Sequence, residues 1–227
     1  IAVGAALGFG ILNSQTTAER PAPSTLVYAY EHGTLEALWA TDPVIDTMDL
    51  PAREWAVERT GSAFVLMRDL SIFGYDFGAV PAAVAPAMDA PEPVIIIETD
   101  ITIGDMRRVI IGVRSRIGSE RLRFQYDPAE DTRLISINGM VVNNPEELTW
   151  ADHWGTPEPM VYLELEVPVG QPISFDIIEH LLRPEELLGP GVFSRPDYLA
   201  PDITRESDRA MLLYRFRESQ ETIEATS

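Results

Sequence analysis

Short runs of alternating apolar and polar residues, separated by turn signals, constrain the fold of this chain more than any other feature. In "RLRFQY", Arg121, Arg123 and Gln125 alternate with apolar and aromatic residues, as in a strand with one wet and one dry face. Turn signals such as "INGM" and "PVGQP" recur at the spacing of short strands. The pattern predicts a mainly β fold, an antiparallel β-sandwich with one or two short helices.

Two local patterns near the N-terminus predict defined elements. The stretch "STLVYAYEHGTLEALWATDP" is typical of a β-hairpin in which Gly33 supplies the positive φ of a tight reversal. His32, at the tip of this hairpin, is expected to be a solvated turn residue. The stretch "DLPAREWAVERTG" predicts one short helix, with Asp49 as N-cap, Pro51 in the first turn and Gly61 at the end.

Composition shifts divide the chain into six segments. Repeated Pro and Ala in "GAVPAAVAPAMDAPEP" argue against a ladder strand and mark the best internal boundary. The predicted segments are 1–12, the end of a transmembrane helix; 13–24, a tether; 25–77, a β-hairpin plus short-helix region; 78–93, a Pro/Ala linker; 94–218, a β-sandwich region; and 219–227, a disordered tail.

The first segment, "IAVGAALGFGIL", is uncharged and apolar. A membrane-spanning helix needs about 20 such residues, so this stretch is too short to span alone. We interpret it as the end of a longer membrane helix; a buried core segment and a signal-peptide core are the alternatives. The first interpretation makes the membrane a partner through residues 1–12 and puts the domain on the periplasmic, extracytoplasmic or luminal side.

Charge and cysteine content exclude several classes of function. The net charge of −19 and the pI of about 4.4 would repel nucleic-acid phosphates and anionic lipid headgroups. We therefore expect no nucleic-acid partner. The absence of cysteine excludes disulfides, thiolate metal ligands and a cysteine nucleophile.

A search for catalytic motifs yields no catalytic residue and no metal site. The chain has no HExxH, GxSxG or SxxK motif and no phosphate-binding loop. His153 occurs in "WADHW" between Trp150 and Trp154, and these three residues are the candidate binding site, as a groove or partner contact. His180 is interpreted as a structural histidine.

Several of these motifs resemble one known family. The stretch "PAPSTLVYAYEHGTLEALWATDP" is similar to the segment that follows the last membrane helix in transmembrane zinc peptidases of the M28 family, which are aminopeptidase-like. The resemblance continues through the Ala/Pro linker, "RRVIIGVRSRIGSERLRF", "ISINGM", "FSRPDYLAP" and "SDRAMLLYRF". The matching positions in the first stretch are Pro21, Pro23, Tyr28, Gly33, Ala37, Trp39 and Asp42.

The resemblance implies a non-catalytic extracytoplasmic domain. The family's zinc ligands, a His, Asp, Glu, Glu and His set, belong to an upstream catalytic domain and match nothing here. No cofactor is therefore expected on this chain, and zinc is expected in the catalytic domain of a parent protein. The alternative function is an accessory subunit with one N-terminal anchor that stabilises a larger membrane complex.

Overall fold

The structure is a computed structural model that describes residues 18, 22–41, 50–74, 78–126, 132–145, 149–155, 160–182, 184–197, 199–201 and 207–218. Strands dominate this part of the chain, which confirms the mainly β prediction. The helices are α1 (Leu50–Thr60), a 3-10 turn (Ser71–Phe73) and α2 (Glu185–Leu188). The strands are β1 (Ala22–Ser24), β2 (Val27–Glu31), β3 (Glu36–Ala40), β4 (Leu66–Asp69), β5 (Ala79–Val84), β6 (Val94–Ile103), β7 (Met106–Arg114), β8 (Arg121–Gln125), β9 (Arg133–Ile137), β10 (Met140–Val141), β11 (Trp150–Trp154), β12 (Val161–Pro168), β13 (Ser174–Leu181), β14 (Leu199–Pro201) and β15 (Arg209–Arg217).

These strands form two large sheets and one small one. The eight-stranded sheet has the order β11-β8-β13-β15-β2-β3-β5-β4, and the five-stranded sheet has the order β10-β9-β12-β7-β6. Neighbours in both large sheets are antiparallel, except that β15 runs parallel to β2. The small sheet is a parallel pair of β1 and β14. Strands from the predicted segments 25–77 and 94–218 therefore share one sheet.

One apolar core lies where the two large sheets face each other. It combines alternate side chains from β7, β9 and β12 of the five-stranded sheet with side chains from β8, β13 and β15 of the eight-stranded sheet. Burial of this kind contributes about 25 cal/mol per Å² of apolar surface, so it is the main stabilising term of the fold. Its fully buried members are Val109, Ile111, Val113, Val167, Ile173 and Ile177.

A second core covers the rest of that same face of the eight-stranded sheet. Here α1 and the segment around α2 pack on the hairpin strands. Trp39 meets the edges of Tyr28 and Phe193, with ring centroids 5.0 and 6.1 Å apart. A third core, which includes Val27 and Ile178, lies on the opposite face. Both faces of the hairpin strands are therefore buried.

The predicted linker contains a strand, so the expectation of no ladder strand in 78–93 was wrong. β5 pairs with both β3 and β4 despite Pro81. Proline cannot donate to a ladder, but the Pro81 carbonyl only has to accept, from the Thr41 amide at 3.0 Å, where the β3 ladder ends. Pro81 is adjacent to the last β3 pair, Ala40 with Ala82, and it stays in register in the β4 ladder, where it pairs with Met67.

The hairpin forms as predicted, but its tip differs from the prediction. Leu35, not Gly33, takes the left-handed conformation, with φ of 58°, and its amide bonds the Glu31 carbonyl at 2.8 Å. The expectation of a solvated His32 was also wrong, since His32 is buried. Its ring meets the edges of Tyr30 and Tyr214. Aromatic packing on the sheet outweighs hydration of this imidazole.

The helix prediction is confirmed at its end. α1 stops at Thr60, and the Gly61 amide donates to the Val57 carbonyl at 2.9 Å with a φ of 64°. In the described residues, no helix is long and apolar enough to cross a membrane. The membrane-helix prediction for 1–12 and the disordered-tail prediction for 219–227 lie outside those residues, as does Asp49.

Candidate functional site

The three predicted binding residues lie on β11, the strand that pairs with β8 at the edge of the eight-stranded sheet. Side chains alternate between the two faces of a strand. Trp150 and Trp154 therefore share one face with Asp152, while His153 lies on the other face, like Ala151. The structure separates the predicted trio into two different surfaces.

Each tryptophan stacks on one arginine of β8. The guanidinium carbon of Arg123 is 4.5 Å from the Trp150 ring centroid, and that of Arg121 is 4.8 Å from the Trp154 centroid. These distances allow cation–π attraction. Asp152 joins the two arginines: Arg121 Nη2 donates to Oδ2 at 2.6 Å, and Arg123 Nε donates to Oδ1 at 2.9 Å. We call these five residues the arginine–tryptophan cluster.

Both arginines of this cluster are buried, which corrects the prediction that Arg121 and Arg123 face water. Their exposed fractions are 4% and 6%. Arg123 also donates to the Gly74 carbonyl at 2.8 Å. Burial raises the pKa of Asp152, but the hydrogen bonds from Arg123 and Arg121 outweigh burial and hold that pKa below its usual value. Asp152 is therefore an ionised carboxylate, and both of its oxygens accept hydrogen bonds from arginine.

His180 lies on β13 beside the same cluster and is fully buried. Burial, followed by the charges of Arg121, Arg209 and Arg123, lowers its pKa to about 2. Its Nδ1 is 3.5 Å from Arg209 Nη1. A neutral, buried imidazole among guanidiniums supports the structural interpretation of His180 and does not suit a general base at neutral pH.

His153 lines a groove of about 600 Å³ on the outer side of the five-stranded sheet. Its polar wall includes the Ser136 hydroxyl, which donates to Glu164 at 2.8 Å. The other lining residues include Ile110, Asn138, Met160 and Tyr162. The groove is open and mostly apolar, and its described lining holds no second imidazole or carboxylate pair beside His153.

A polar cluster that the sequence did not predict surrounds Arg195. Its Nε donates to Ser24 Oγ at 2.6 Å, and its Nη2 donates to Ser207 Oγ at 2.9 Å. The guanidinium also forms a bidentate ion pair with Asp208 and lies 4.4 Å from the Trp55 ring centroid. We call these five residues the Arg195 clamp. The Arg195 clamp connects the last residue of β1, Ser24, to the residue just before β15, Asp208.

The sequence contains a weak signal for each cluster. Trp150, Asp152 and Trp154 follow one another at intervals of two residues, which is the period of one strand face. Arg195 lies between Ser194 and Pro196, in a loop where a buried cation is unexpected. Neither signal identifies the partners, because these come from strands or loops distant in sequence.

Possible metal ligands do not cluster in the described residues. Among them, no group of three or more His, Cys, Asp or Glu side chains could hold a metal ion.

A comparison of the chain with protein-family models, with curated proteins and with solved structures finds no match. The arrangement is chemically suited to holding strands and loops together through charge-assisted hydrogen bonds.

Proposed function

We propose that this chain is the non-catalytic extracytoplasmic β domain of a membrane-anchored, M28-like zinc peptidase, with a structural or partner-contacting role. The observation that carries the proposal is the Arg195 clamp. Three separate stretches of the resemblance, "PAPS", "FSRP" and "SDRAMLLYRF", supply Ser24, Arg195 and Asp208 to it. Stretches that meet in one buried cluster form a single structural unit, which supports the resemblance.

The Arg195 clamp fixes the position of the chain at the end of β1. Ser24 is the last residue of β1, which pairs with β14, and β2 then enters the middle of the eight-stranded sheet. Arg195 bonds both the hydroxyl and the carbonyl of Ser24. The predicted tether therefore ends at Ser24, a residue that is held in place by hydrogen bonds from Arg195.

The polar chemistry of the domain supports a non-catalytic role. Asp152 is saturated by two guanidiniums, and His180 is neutral and buried. A general base needs a titratable group near the working pH that a substrate can reach. The core between the two large sheets supports an antiparallel β-sandwich as the finer description of the fold.

Reading the gene upstream of the codon for Ile1 tests this proposal. We expect several membrane helices and a zinc-peptidase domain with the His, Asp, Glu, Glu and His ligand set, all in the same reading frame. An open reading frame that supplies one membrane helix and no peptidase domain would contradict the proposal and favour the accessory subunit.

A further inference from the structure

Glu179 is completely buried in the middle of the eight-stranded sheet. It lies on β13 between Leu122 of β8 and Leu212 of β15, on the face that carries the two larger cores. Ile177, two residues before it, belongs to the core between the sheets, and Leu181, two residues after it, belongs to the core under α1. Glu179 therefore lies at the boundary of two cores.

Among the described residues, the Ser115 hydroxyl is the polar group that faces the carboxyl of Glu179 at this boundary. In the described part of the chain, neither oxygen has a hydrogen-bond partner of ordinary geometry. Burying an ionised carboxylate without a partner is among the most costly arrangements in a protein, so such a group keeps its proton or gains water. Burial accordingly raises the pKa of Glu179 to about 7, although the Ser115 hydroxyl opposes this rise.

The charged groups on the strands beside Glu179 project to the opposite face of the sheet. On its own face, the described parts of β8, β13 and β15 carry no cationic side chain. The cationic and imidazole groups of these strands on the opposite face are Arg121, Arg123, His180, Arg209, Arg215 and Arg217. The other titratable groups described on its own face are Tyr28, Tyr30, His32, Tyr126 and Tyr214, with Glu92 close enough to affect Tyr30, His32 and Tyr214, and Asp89 close enough to affect Tyr30.

The polar group that faces Glu179 comes from the loop after β7. Ser115 Oγ accepts the amides of Ile117 at 3.2 Å and Ser119 at 3.1 Å, which leaves its hydroxyl hydrogen to point elsewhere. Ser119 Oγ lies 2.9 Å from the His180 carbonyl, so the loop sits directly on β13. Arg116, in the same loop, is exposed.

We propose that Glu179 is a proton-operated latch between the loop 115–119 and the eight-stranded sheet. With its proton bound, the carboxyl is neutral and the loop packs over it. When the proton is lost to solvent, the charge is costly in a dry site where no described cationic side chain of β8, β13 or β15 shares its face. The loop 115–119 then moves away from the eight-stranded sheet, and water reaches the carboxylate.

The direction of the pH effect follows from proton linkage. The closed state binds the Glu179 proton more tightly than an open state, where the pKa returns to about 4.3. Opening is therefore favoured as the pH rises from about 4.3 to the closed-state value near 7, and it levels off above that. Burial lowers the pKa of His32 and His180, so they contribute with the opposite sign and below about pH 6.5.

Amide hydrogen exchange at pH 6 and pH 8 tests the latch. After correction for intrinsic exchange, the opening of the Ile117 and Ser119 amides should rise about tenfold over this range in the wild type. It should stay constant in Glu179→Gln, which is neutral at both pH values. Glu166→Gln, a change on the outer face of the five-stranded sheet, should retain the wild-type response.

A second readout does not depend on the folding of any variant. The assigned ¹³C resonance of the Glu179 carboxyl in the wild type should titrate near pH 7. A midpoint near the usual glutamate value, or equal exchange in the wild type at both pH values, would overturn the proposal.

Discussion

Replacing Arg195 by alanine should lower the free energy of unfolding by about 3–5 kcal/mol, the cost of breaking a buried ion pair. The Arg195 side chain is only 6% exposed, and its removal leaves Asp208 without the cation that binds both of its oxygens. Ser24 and Ser207 lose their guanidinium donors in the same step. Urea unfolding monitored by tryptophan fluorescence measures this change, since Trp55 packs against Arg195.

Arg217→Ala is the matched control for this substitution. Arg217 also pairs with a carboxylate, that of Asp176, but its side chain is 50% exposed. Exposed pairs contribute about 0–1 kcal/mol. Equal losses for the two variants would contradict the clamp, because the difference in burial would then have no consequence.

Replacing Asp152 by alanine should have an effect of similar size, about 3–5 kcal/mol. Its two oxygens bind both Arg121 and Arg123, so its loss brings two buried guanidiniums together without the carboxylate that joins them. Because folding lowers the pKa of Asp152, its contribution is complete above about pH 3.9 and is lost as the pH falls toward the folded value. Denaturant unfolding at pH 7 measures the loss, with Asp176→Ala as the control because its arginine partner, Arg217, is 50% exposed.

A comparison of alanine substitutions at Gly74 and Gly78 tests the packing of the Arg123 side chain independently. A Cβ at Gly74 would lie 2.4 Å from Arg123 Nη1, whereas a Cβ at Gly78 would meet nothing within 4 Å. Both glycines have nearly the same φ, +71° and +72°, so the backbone cost of alanine is shared. We expect Gly74→Ala to destabilise the domain more than Gly78→Ala. Equal effects would show that Arg123 can move at no cost.

The strands were predictable because the alternation of apolar side chains is local. The environment of the polar side chains was not. Arg121 and Arg123 have the same spacing whether their face meets water or a neighbouring strand with two tryptophans. Only the pairing of β11 with β8, across a loop, decides between these outcomes. Period-2 patterns therefore predict which residues share a face but not what covers it.

Part of the candidate site could have been resolved from the sequence. Strand alternation alone requires Trp150 and Trp154 to share a face that excludes His153, if "WADHW" is a strand. The Arg195 clamp was less accessible, since Ser24 and Arg195 are separated by 171 positions. The position of Leu35 in the left-handed region also escapes local reasoning, because glycine is the usual residue there.

One immunoprecipitation tests the central claim that this chain is a non-catalytic domain of a larger membrane peptidase. An antibody raised against residues 22–218 is applied to detergent-solubilised membranes of the source cells. We expect it to capture a polypeptide much larger than 25.2 kDa, together with an aminopeptidase activity that a zinc chelator removes. Capture of a 25.2 kDa polypeptide, with any peptidase activity confined to a separate chain, would contradict the claim.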